Sequence, residues 1–81
     1  MALVREFTHV EPHRVEQHEE VHKCTYTSFD GPEGPIFQLS TYGRANRGNP
    51  DKISQSLQFD REGAKVLIAL LMEAFPELRR V

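Results

Sequence analysis

Hydrophobic and polar positions alternate with a period of two through the middle of this chain and shift to a helical period near its end. In Ile36–Tyr42, Phe37 and Leu39 point one way and Gln38, Ser40 and Tyr42 the other. Lys52–Phe59 repeats the pattern, with Ile53, Gln55, Leu57 and Phe59 on one face and Ser54, Ser56 and Gln58 on the opposite one. Each predicted strand thus has an apolar inner face and an outer face of hydroxyls and amides. Lys23–Phe29 reads as a further strand, because Thr, Tyr and Phe suit a pleated surface. Ala2–Val10 is a plausible first strand bounded by Pro12, since proline cannot donate to a ladder. Arg14–His22 has no decisive pattern.

Two turn clusters separate these runs. Asp30–Pro35 (DGPEGP) predicts a hairpin loop, and Gly43–Asp51 (GRANRGNPD) a second connection. Asp60 then reads as an N-cap, its carboxylate accepting from free amides of a first turn that also holds Glu62. Ala64, Leu67, Ile68, Leu71 and Phe75 recur at helical spacing, and Pro76 ends the run. The expected fold is α+β. It is an antiparallel, strongly twisted sheet of three to four strands, followed by one C-terminal amphipathic helix packed on its apolar face.

Length adds a constraint. Eighty-one residues make a single domain, 1–81, and a domain this small buries only about 60% of its unfolded surface. One cysteine, Cys24, excludes an internal disulfide and points to a reducing, cytoplasmic setting. No apolar run reaches the roughly 18 residues a membrane span needs. Added stability is therefore expected from oligomerisation. Val66 and Leu70 lie off the main helical stripe, and leaving each exposed forgoes roughly 1.5–3 kcal/mol. That flank predicts a homodimer; the alternative cover is a folded-back N-terminal segment.

The candidate chemistry is sparse. His18-Glu19-Glu20-Val21-His22 matches the H-E-x-x-H pattern, which on a helix sets two imidazoles one turn apart for zinc. The surrounding residues hold almost no apolar stripe to seat such a helix, and a solvated strand or turn accounts for them better. Cys24 has no activating pattern. Ser28, Ser40, Ser54 and Ser56 lack a nucleophile-elbow context, and the glycines fit no phosphate loop. No enzyme, metal or cofactor is expected.

Charge is more informative by region than in total. The net charge is -2, yet residues 1–37 carry three basic and seven acidic groups, and residues 38–81 seven basic and five acidic. Arg44, Arg47 and Lys52 bracket a loop whose only acid is Asp51, beside Tyr42 and the predicted outward Gln38 and Ser54. Arginines can meet phosphates, a ring can stack on a base, and amides can reach base edges.

The order of strand, basic loop, strand and closing helix, carried by IFQLSTY, GRANRGNPDK, ISQSLQF and DREGAKVLIALL, resembles the single-stranded-DNA-binding domain of the transcriptional positive-cofactor-four family. The likeness covers roughly residues 23–75. It implies a helix-mediated dimer that binds unpaired strands, with Tyr42, Arg44, Arg47 and Lys52 as contacts. The expected function is single-stranded DNA or RNA binding in transcription or replication. The rival expectation is a small protein-interaction module with an exposed sheet face or edge.

Overall fold

The computed structural model describes residues 1–43 and 52–80. It contains β1 (Ala2–Leu3), β2 (Cys24–Gly31), β3 (Gly34–Tyr42), β4 (Ile53–Phe59), α1 (Arg61–Ala74) and a 3-10 turn (Pro76–Arg80). The strands form one sheet in the order β1-β4-β3-β2. The fold is α+β, as expected, with one departure. The β2–β3 and β3–β4 pairs are antiparallel, but β1 runs parallel to β4, so the sheet is mixed. The expected strand Ala2–Val10 shrinks to Ala2–Leu3, because its parallel register begins at Leu57 and β4 ends at Phe59.

The β2–β3 hairpin is tighter than its turn-rich sequence suggests. Gly31 pairs with Gly34, leaving Pro32 and Glu33 as a two-residue connection. Gly34 takes φ +138, a conformation L side chains rarely adopt, which is why glycine stands there.

Asp60 starts the helix as anticipated: its Oδ1 accepts from the Gly63 N–H at 2.9 Å. Its Oδ2 accepts from Arg5 Nε at 2.8 Å, and the Arg5 guanidinium also reaches Glu33 at 3.4 Å. The chain after β1, the helix start and the hairpin turn are thereby joined. Val4 N–H donates to the Gln58 carbonyl at 2.8 Å, drawing β1 so close that a Cβ on Gly63 would collide with the Val4 carbonyl oxygen. Phe7 stacks on Phe59, ring centroids 6.5 Å apart and nearly parallel.

The core is small. Phe59 is the one buried hydrophobic among the described residues, 6% exposed. Phe37 and Leu57 lie on its sheet face yet are exposed, and so are Ile68, Leu71 and Phe75 of the stripe expected to cover them. The helix α1 packs at the β4 end of the sheet and leaves the rest of the apolar face open. The tight hydroxyl layer is on the opposite face: Ser40 and Ser56, read as outward from their alternation, are 3% and 4% exposed.

Candidate nucleic-acid interface

The expected contact residues sit on β3, β4 and the connection between them, and local backbone geometry decides which meet. Tyr42 ends β3. Its N–H donates to the Lys23 carbonyl at 3.0 Å, and the His22 N–H donates to the Gly43 carbonyl at 2.8 Å. This extension of the β2–β3 ladder holds the Lys23 ammonium 4.6 Å from the Tyr42 ring centroid. Such cation–π contacts contribute about 0.5–1 kcal/mol at exposed sites. Lys23 belongs to this cluster although its role is not evident from the loop alone; the signal was its place opposite Tyr42 in an antiparallel pair.

On β4 the register slips. Thr41 pairs with Gln55 and Tyr42 with Ile53, so Ser54 is the extra residue of a bulge. Bulges re-aim side chains and recur beside functional sites. Tyr42, Lys23 and Ser54 thus meet at one end of the sheet, where Lys52 precedes β4 in the chain. Arg44 and Arg47 lie outside the described residues.

Gln38 does not join them. It lies four residues back along β3, about 13 Å away at strand rise. Its Nε2 donates to Ser40 Oγ at 3.0 Å, its Oε1 accepts from Gln58 Nε2 at 2.8 Å, and Ser40 and Ser56 share a hydroxyl hydrogen bond of 3.0 Å. This cross-strand network engages the amides expected to face a base edge. Buried hydroxyls need such partners, and the network locks the β3–β4 register. Alternation assigned a face to these residues but could not show that they satisfy one another.

The N-terminal segment forms a second wall. His18–Val21 faces Tyr42, Gly43, Ser54 and Gln55 across an open groove of ≈ 510 Å³. Glu19 and Glu20 therefore flank the basic end of the sheet. The backbone of His18–His22 is not helical, so the one-turn spacing that the H-E-x-x-H pattern needs for zinc is lost. Among the described residues no group of three or more His, Cys, Asp or Glu side chains is placed to hold a metal ion. Cys24 is exposed, its Sγ 3.9 Å from the Thr25 carbonyl oxygen.

On the helix, Val66 and Leu70 are exposed, and the N-terminal segment leaves them so. No described helix is long and apolar enough to cross a membrane. No protein-family model, curated protein or solved structure matches the chain.

Proposed function

We propose that the chain binds single-stranded DNA or RNA, without catalysis and as a homodimer, in transcription or replication. The observation that carries this reading is the gathering of Tyr42, Lys23 and Ser54, next to Lys52 in the chain, at the end of the sheet from which the arginine-bearing loop departs. An aromatic ring among cations and hydroxyls offers stacking and phosphate contacts together, the combination that unpaired strands require. The resemblance to the positive-cofactor-four family points the same way. With Glu19 and Glu20 on the opposite wall, affinity is set by a local surface and not by net charge.

Fluorescence anisotropy with labelled homopolymer and mixed-sequence strands at low salt tests it. Lys52→Glu and Arg47→Glu each weaken binding to all sequences and flatten the salt slope by about one unit per lost phosphate contact. Tyr42→Ala removes about 1–3 kcal/mol and changes the slope little. Wild-type protein with no saturable binding below about 100 μM would sink this function.

A second reading, a protein-interaction module, draws on the outer edge of β2. Cys24–Phe29 holds no proline, lysine or other charge to blunt an unpaired edge, which is how sheets usually avoid strand addition. Salt separates the two. Phosphate contacts weaken steeply between roughly 50 and 200 mM salt, whereas a partner strand added through main-chain hydrogen bonds responds little.

A further inference from the structure

The hairpin turn sets which main-chain groups of β2 face outward. Gly31 pairs with Gly34 around the two-residue connection, and at the other end of the ladder the Tyr42 N–H donates to the Lys23 carbonyl. Bonded and non-bonded pairs alternate along an antiparallel ladder. The odd-numbered residues from Lys23 to Gly31 therefore bond to β3, and Cys24, Tyr26, Ser28 and Asp30 direct their N–H and C=O groups to the outer edge. β2 ends the strand order, so no described strand takes up these groups. Their side chains are exposed as well. Tyr26 is 76% exposed, the most of any described aromatic, although its ring stacks on Phe37 at 6.2 Å.

We propose that this edge pairs with the β2 edge of a second copy, antiparallel about a two-fold axis at Tyr26, so that two four-stranded sheets become one. In this register Tyr26 faces Tyr26 of the second copy, Cys24 faces its Ser28, and Thr25 its Thr27. Each pairing sets like beside like: ring against ring, small against small, and threonine against threonine, which are favourable cross-strand pairs. Phe37 and Tyr26 of both copies then line up in one aromatic row. Charge fixes the sense of the pairing. β2 starts next to Lys23 and ends at Asp30 and Gly31, so an antiparallel copy sets each basic start beside an acidic end, whereas a parallel copy sets like charges together. Edges that stay unpaired are usually blunted by lysine, proline or a bulge; Cys24–Phe29 has none of these. A two-fold contact of this kind closes on itself. The inference goes beyond the homodimer reading above. β3 separates β2 from β4, where α1 packs, so the edge contact is distinct from Val66 and Leu70.

Disulfide formation reads the register. In a bonded antiparallel pair the Cα atoms lie about 5.5 Å apart, within reach of a disulfide. Ser28→Cys, oxidised with Cys24 in place, is expected to give several-fold more covalent dimer than wild type or Cys24→Ser/Ser28→Cys. In both of those controls the two thiols lie about 13 Å apart along the strands. Equal yields from the three chains overturn the proposal. Sedimentation velocity gives an independent readout. The Val66→Glu/Leu70→Glu chain, which lacks the helix-flank contact, is expected at twice the chain mass, and adding Tyr26→Lys is expected to bring it to 9.3 kDa. Tyr26→Lys leaves every β2–β3 hydrogen bond in place, and an unchanged urea midpoint at low concentration checks that the fold is kept. A Val66→Glu/Leu70→Glu chain that is monomeric at high micromolar concentration overturns the edge contact; a wild type still dimeric then leaves the homodimer reading standing. A monomeric wild type overturns both and leaves the edge to a strand of another protein. Nucleic-acid titration is judged separately.

Discussion

Gly63→Ala puts two rules of helix stability in opposition. In an open helix the change is favourable by at most about 1 kcal/mol, because alanine loses less backbone entropy. Here the new methyl points at the Val4 carbonyl oxygen, a backbone atom held by the Val4 N–H bond to Gln58 at 2.8 Å. Relief requires β1 to part from α1. Overpacking of this kind costs about 1–3 kcal/mol, and the lost hydrogen bond adds about 0.5–1.5 kcal/mol. The net expectation is a loss of about 1–3 kcal/mol, which lowers Tm by about 4–8 °C per kcal/mol in a chain this size. Urea and thermal unfolding followed by circular dichroism, at one fixed protein concentration, measure it. The control is a double-mutant cycle with residues 1–5 deleted: without Val4 the same substitution should turn neutral or stabilising. Stabilisation by Gly63→Ala in the full chain would refute the close approach of β1 to the helix.

Asp60 gives a pH signature. The Gly63 N–H, and after it the Arg5 guanidinium, hold its carboxyl below the ordinary value of 3.8. Its contribution is therefore complete above that value and is lost as pH falls below it. Urea midpoints taken from about pH 7 down to about pH 3 should fall less steeply for Asp60→Asn than for wild type; parallel curves would count against the cap. Phe59→Ala should cost about 3–5 kcal/mol in chemical unfolding, since it removes the buried ring on which Phe7 stacks. Ser56→Ala should cost about 1–3 kcal/mol by taking away a buried partner of Ser40. An unchanged midpoint would mean that water replaces it.

Much of the architecture was legible along the chain because it depends on local chemistry. Asp60 caps because its side chain reaches amides three residues on, and Gly34 turns because no Cβ opposes its φ. The strands β2, β3 and β4 follow from alternation, and the helix from its apolar stripe. The candidate site was legible in part. Tyr42 and Ser54 meet at one end of the sheet, next to Lys52 in the chain, but Gln38 lies four residues back along β3 with its amide bonded to Ser40 and Gln58. Alternation orders side chains by face and says nothing of what lies across the strand. Only the tertiary structure set β1 parallel on the β4 edge and brought Lys23 over Tyr42. It also turned the serine face inward while leaving Phe37, Leu57 and Ile68 exposed. The reason is physical: periodicity records which residues share a surface, whereas burial depends on how much partner surface a single short helix can supply, and that is a property of the whole packed chain.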